Sequence, residues 1–292
     1  MTAPEFSTPP RRVVSLVPSL TESMFGLGLG DRLVAVTDYC IHPRDRVAPL
    51  PKVGGTKNPD IAAILQLQPD LILANQEENT PAAVQALRAE GIPVWLTFPH
   101  TVDESIDLLL HMSVVFRSEA AGEKVRWLAR GVEWQRASAS DARRRAYFCP
   151  VWQDGGGEVP GWWMTFNGGT YCSDVLQLFG LENVFASRQR RHPLLADLGK
   201  APAEPAGERD TRYPRVSLEE ILAAEPEMIL LPSEPFAYAE EHLRALARVF
   251  AGTPAARNGN LILIDGTLIT WFGTRLSHAL DVLPGLLDTI TH

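Results

Sequence analysis

Four tryptophans of this chain stand where packing alone does not call for them. Trp152, Trp162, Trp163 and Trp271 sit beside Gly, Pro or Asp in loop-like sequence. Trp95 instead falls in a strand pattern, and Trp127 and Trp134 in a long helical one. An indole in a loop offers a flat apolar face with one polar edge. Several together predict an aromatic-walled pocket for a flat ligand. Tyr39, Phe98 and Phe272 would extend that wall. Lys57 and Arg275 would meet amides, phosphates or carboxylates on the ligand.

Other chemistry is thinner. His42 and His100 follow strands of the first half and could frame a metal site with an acidic partner. Surface or supporting histidine is the plainer reading, since no two of the seven histidines lie at i, i+4. GxxxxGK[ST], GxSxG and HExxH are all absent, which removes the common phosphate-loop, hydrolase and metalloprotease signatures. Gly26, Gly28 and Gly30 end a helix rather than join a strand to one, so they read as a helix stop. The three cysteines, far apart in sequence, read as buried free thiols.

The elements that would position these residues alternate. Short apolar runs at Val13–Val17, Leu33–Val36, Leu71–Ala74 and Val94–Thr97 are separated by helical stretches, the pattern of a parallel sheet with helices on it. Ser19-Leu-Thr-Glu22 reads as a capping box. Val102–Ser138 has helical spacing throughout, and Gly122 and Gly131 could kink or break it. The second half repeats the first pattern. DIAAILQLQPDLILANQEE at Asp60–Glu78 matches SLEEILAAEPEMILLPSEP at Ser217–Pro235 at a constant offset of 157. Two α/β lobes joined by a long helix follow. Glu77 and Glu234 occupy equivalent places in the repeat, which makes them a candidate two-point dock for a basic partner. The glycine-rich stretch Gln153–Gly161 and the charged stretch Ser187–Pro214 read as loops, the latter a lid or a disordered segment.

Composition bounds the rest. With 45% hydrophobic residues the chain can bury real cores, and a net charge of −8 argues against nucleic acid. The first ten residues show no secretory signal pattern and no run suits a membrane span. The expectation is a cytoplasmic protein as the sequence stands, or a periplasmic one if a signal has been removed.

The residues resemble a known family, the cobalamin and iron–siderophore substrate-binding proteins of ABC transporters. The resemblance rests on RVVSLVPSLTE (Arg12–Glu22), TDYCIHP (Thr37–Pro43), KVGGTKNPDIAAILQLQPDLILA (Lys52–Ala74), GIPVW (Gly91–Trp95), GLENVF (Gly180–Phe185), VSLEEILAAEPEMILLPSEP (Val216–Pro235) and ITWFGTRL (Ile269–Leu276). It implies an α/β fold of two Rossmann-like lobes with parallel sheets, joined by a long backbone helix. The lobes would be residues 12–101 and 145–292, with the helix at 102–144. It further implies a ligand held in an interlobe cleft with no reaction catalysed, no covalent cofactor, and a corrinoid or ferric siderophore as the ligand. Tyr39 and Trp271 match positions that contact the corrin in B12-binding members. Glu77 or Glu78, and Glu234, match the acidic residues that engage a permease dimer. Asn75 and Gly54–Lys57 depart from that pattern, where B12-binding members carry aromatics. The rival expectation is a metal-ion receptor or a chelatase-like enzyme.

Overall fold

The computed structural model describes residues 3–140, 143–156 and 159–288. The chain folds as two compact units: Met1–Gly131 with Trp271–His278, and Val132–Thr270 with Ala279–His292. The first unit contains strands β1 (Val13–Ser15), β2 (Leu33–Val36), β3 (Leu71–Asn75) and β4 (Val94–Thr97). They form one parallel sheet in the order β2-β1-β3-β4. The second unit contains β5 (Arg145–Phe148), β6 (Trp152–Gln153), β7 (Trp163–Met164), β8 (Leu181–Asn183), β9 (Arg215–Val216), β10 (Met228–Pro232) and β11 (Leu261–Ile264). Here β8-β5-β10-β11 is a parallel sheet, and β6-β7-β9 is a small antiparallel one.

From β8 onward, the second sheet has the strand order of the first. The third strand of each, β3 and β10, is buried at all five positions, as a parallel strand covered on both faces must be. The sequence repeat reaches down to single hydrogen bonds. Asp70, just before β3, accepts the backbone N–H of Arg11 and Arg12 at the entry to β1. Glu227, at the equivalent place before β10, accepts the N–H of Ala146 in β5. The same carboxylate clamp thus sets the register of the central strands in both lobes. Gln68 and Glu225, again one repeat apart, both end their helices at positive φ, 45° and 46°.

Asp60 and Ser217 cap the repeated helices, accepting from Ala63 N and Glu220 N, with a full capping box at Ser217. The box expected at Ser19 is absent. Pro18 occupies the first helical turn of Pro18–Gly26, Val17 is the cap residue, and no side chain caps the helix. Proline suits that position because its missing N–H would be unpaired there anyway. Glu22 is left for other work. Val102–Ser138 is two helices, Val102–Val115 and Glu119–Ala139. The break falls at Arg117, with φ 49°, and not at either glycine. The divide between the compact units falls inside the second helix. Among the described residues no helix is long and apolar enough to cross a membrane.

Separate cores hold the lobes. Val14, Leu16, Ile64, Ile72 and Leu87 centre one, while Phe148, Trp163, Ile229, Leu231 and Phe250 centre the other. The charged stretch Ser187–Pro214 is a fixed structure and not a disordered one. Its anchor is the buried carboxylate of Asp197, which accepts from Arg188 Nη1 at 3.1 Å, Arg191 N at 2.9 Å and Arg215 N at 2.8 Å. In the glycine-rich stretch, Gly157 and Glu158 lie outside the described residues.

Candidate functional site

In open parallel sheets, ligands meet the carboxyl ends of the strands, near the point where strand order reverses. In the first lobe that edge carries most of the expected residues. Tyr39 follows β2, and its ring lies beside Gly55, where a Cβ would come within 3.6 Å of it. Lys57 donates from Nζ to the carbonyl of Glu77, which ties the loop after Val53 to the loop after β3. Asn79 reinforces the tie by donating to Thr56 O at 2.8 Å and Leu16 O at 3.3 Å. Tyr39, Lys57 and Glu77 therefore share one connected edge. Tyr39 is 63% exposed, so its ring is open to a ligand.

Phe98 and His100 follow β4 and form an edge-on ring pair at 4.1 Å. β4 stands three strand spacings from β2, about 14 Å, so these rings and Tyr39 follow opposite edge strands of the sheet. Asn75, where an aromatic wall residue was in question, is buried and structural. Its Oδ1 accepts from Glu77 N at 2.8 Å and its Nδ2 donates to Thr97 O at 3.1 Å. It shapes the loop and is not positioned to stack.

The segment from Trp271 to His278 folds with the first lobe. Gly273 N donates to Ser105 Oγ at 2.8 Å, and Thr274 N to Ser23 Oγ at 3.1 Å. Glycine is required at 273, where φ is 95° and a Cβ would lie 2.2 Å from Ser23 Oγ. This docking brings Arg275 onto Glu22: Nε donates to Oε2 at 2.9 Å, and Nη2 lies 2.8 Å from Oε1. Burial pushes the Glu22 carboxyl above its usual value, against the opposing charge and hydrogen bond of Arg275. Trp271 lies beside this pair, with Arg275 Cζ 5.2 Å from its ring centre and the His42 ring at 5.7 Å. Trp271 and Phe272 are each only 7% exposed. Arg275 is thus spent on an internal partner, and Trp271 is enclosed by Arg275 and His42.

The second lobe divides its tryptophans by strand alternation. The pairs Trp152↔Met164 and Met164↔Arg215 place those side chains on one face of the small sheet. The pairs Gln153↔Trp163 and Trp163↔Val216 define the opposite face. Trp163 is wholly buried on that second face and packs on Phe250 at 5.0 Å. It is core, which corrects the expectation that it lines a pocket. Trp152 is 44% exposed and meets Phe236 edge-on at 5.6 Å. Trp162 is half-buried and lies under Arg215, whose Cζ is 5.7 Å from its ring centre. A cavity of about 310 Å³ in this lobe is bordered by Gln153, Asp154, Glu241 and His242, but not by Trp152. It is at the small end of ligand pockets, about 300–1,000 Å³.

The candidate docking glutamates differ in setting. Glu77 is exposed on the first lobe, with Glu78 half-buried beside it. Glu234, half-buried on the second lobe, accepts from Thr270 Oγ1 at 2.5 Å. His42 and His100 contact different aromatics. Among the described residues no group of three His, Cys, Asp or Glu side chains is arranged to hold a metal ion. Sequence reasoning passed over Arg190 and Arg215. The clue was available in the arginines crowding both ends of the charged stretch, at 188, 190 and 191 and at 209, 212 and 215.

Comparison with known proteins agrees with this architecture. A family model described as periplasmic binding protein matches residues 13–268. A vitamin B12-binding protein of Yersinia pestis is 30% identical over 223 residues, covering 75% of this chain and 69% of that protein. The crystal structure of a periplasmic vitamin B12 binding protein of Vibrio cholerae superposes with a TM-score of 0.75 at 24% identity, over 97% of this chain and 98% of that one. A periplasmic heme-binding protein from Roseiflexus sp. RS-1 gives a TM-score of 0.70 at 21% identity, over 97% and 99%.

Proposed function

Because the chain belongs to the periplasmic binding protein family, we propose that it captures a metal-bearing ligand and hands it unchanged to a membrane permease. The ligand is a corrinoid of the vitamin B12 type in the first instance, and a ferric siderophore in the second. The observation that carries this reading is the exposed aromatic at the carboxyl edge of each lobe, Tyr39 in the first and Trp152 in the second. Each offers an apolar face to a flat ring without first breaking internal packing. Relatives named for binding vitamin B12 support the corrinoid. Preformed surfaces of this kind bind with little rearrangement.

A binding role needs no acid–base pair or nucleophile, and at the first-lobe edge Asn75 and Asn79 are spent on structure. The protein works outside the cytoplasmic membrane in this reading, as its periplasmic relatives do. Glu77, Glu78 and Glu234 meet basic residues of the permease. Titration with cobalamin tests the central claim, with the visible spectrum of the ligand and tryptophan emission as readouts. Saturable change in both supports it, while no change at tens of micromolar ligand removes the corrinoid. Reversing Glu77 and Glu234 to Lys together should abolish permease capture and leave ligand titration unaltered.

A further inference from the structure

Among the described residues, the second lobe holds cationic donors that no protein group satisfies. Nε and Nη1 of Arg215 and Nε of Arg190 are shielded from water and have no hydrogen-bond partner. Buried polar groups in folded proteins are nearly always paired, so each exception needs a reason. The neighbouring charges are already used. Asp197 is spent on Arg188 and two backbone N–H groups. Asp210 holds Arg212 through its Nε at 3.0 Å, its Nη2 at 2.6 Å and its N at 2.8 Å. Arg188 is fully engaged by Asp197, Glu220 and backbone carbonyls.

Arg215 and Arg190 also repel. Burial first, and the charge of Arg190 second, hold the Arg215 guanidinium below its ordinary value, with Asp197 opposing. A group so placed favours an incoming anion, which would pair the forked donors and cancel the repulsion. The location is informative. Arg215 shares the face of Met164 and Trp152 and lies over the ring of Trp162, so an anion bound there would be carried by something flat lying on the tryptophans. We propose that Arg190 and Arg215 form an anion-binding subsite that takes a carboxylate or phosphate on the rim of a flat ligand resting against Trp162. The flat-ligand part rests on the reading of Trp152 and its neighbours as a binding surface, whereas the anion part stands on the arginines alone.

Two arms test it on the full chain. In the first, inorganic phosphate and acetate are each compared with chloride at equal ionic strength, and the thermal midpoint and Trp emission are read. Phosphate or acetate should raise the midpoint of the wild type, and R215Q and R190Q should abolish the increment. R46Q, in the first lobe, should retain it. R190K and R215K keep the charge but lose the fork, and should keep only part of it. Equal increments in wild type and all variants overturn the subsite.

In the second arm, iron protoporphyrin, which has two carboxylates, is compared with its dimethyl ester. The free acid should bind about tenfold tighter or more in the wild type, and the preference should vanish in R215Q. Equal affinity of acid and ester in the wild type overturns the assignment to a ring-borne anion. Binding of neither porphyrin nor cobalamin, with an arginine-dependent phosphate response intact, sinks the flat-ligand reading and leaves the subsite standing.

Discussion

The two lobes share a strand order, a carboxylate clamp and a helix stop, yet they treat their cations in opposite ways. In the first lobe Arg275 is closed onto Glu22, and Lys57 is tied to the Glu77 carbonyl. In the second, Arg190 and Arg215 keep buried donors with no hydrogen bond, as Arg275 Nη2 also does, but they lack the facing carboxylate that Glu22 gives Arg275 at 2.8 Å. The difference tracks the segments outside the repeat. The first lobe runs from strand to helix through short loops, whereas the second adds the β6-β7-β9 sheet and the Asp197-anchored stretch. Topology is therefore common to the lobes, and the unmatched charge of the second comes from what was added to it.

Two substitutions should disrupt the second lobe and spare the first. Trp163→Ala removes a wholly buried indole and should cost about 3–5 kcal/mol. Asp197→Ala leaves Arg188 with only one of its two carboxylates, leaves two N–H groups unpaired, and should cost about 3 kcal/mol or more as well. Denaturant titration measures both. For Asp197→Ala, hydrogen exchange should show lost protection across residues 187–216 while β1 to β4 stay protected. If the first lobe loosens equally, the lobes are not the separate units described.

Arg275→Met attacks the matched pair of the first lobe and should cost about 2–3 kcal/mol, because Glu22 keeps its buried charge. Adding Glu22→Gln should recover most of that loss. Trp152→Ala should weaken cobalamin binding by about fivefold to tenfold and barely move the unfolding midpoint, in contrast with Trp163→Ala.

The smallest effects are pH profiles of opposite sign. Glu22 sits above its ordinary 4.5, so its contribution to stability is present below that value and is lost as pH rises through the raised one. Glu22→Gln should therefore compare better with wild type as pH rises from acid toward neutral. For Asp210, burial works against the charge, but the hydrogen bonds and charge of Arg212 outweigh it and hold the group below its ordinary 3.8. Its contribution is present above that value and is lost as pH falls through the lowered one. Asp210→Asn should flatten that acid limb. The same slope in both variants would remove the contrast.

Periodicity and punctuation were enough for the architecture. The apolar runs at Leu33–Val36 and Val94–Thr97 are strands as read, and Asp60 and Ser217, which open the two repeated segments, cap their helices. These features depend on neighbours in the chain, so local sequence carries them. At Ser19 the expected box gives way to Pro18 in the first turn, and the helix breaks at Arg117, whereas Gly122 and Gly131 were only possible kinks. In both places several residue types could serve, and packing chose among them.

The sequence by itself determined two lobes of one topology, their repeat and their family. Only the tertiary structure decided which loop residues face outward. Alternation across a two-residue strand put Trp163 in the core and left Trp152 on the surface. A segment distant in sequence brought Arg275 to Glu22 and used up the charge expected for a ligand. Burial of Arg215 near Arg190, with Asp197 and Asp210 already engaged elsewhere, left the second lobe with unspent donors. Side-chain type sets what a residue can bind, but whether it is free to bind depends on partners that only the folded chain brings within reach.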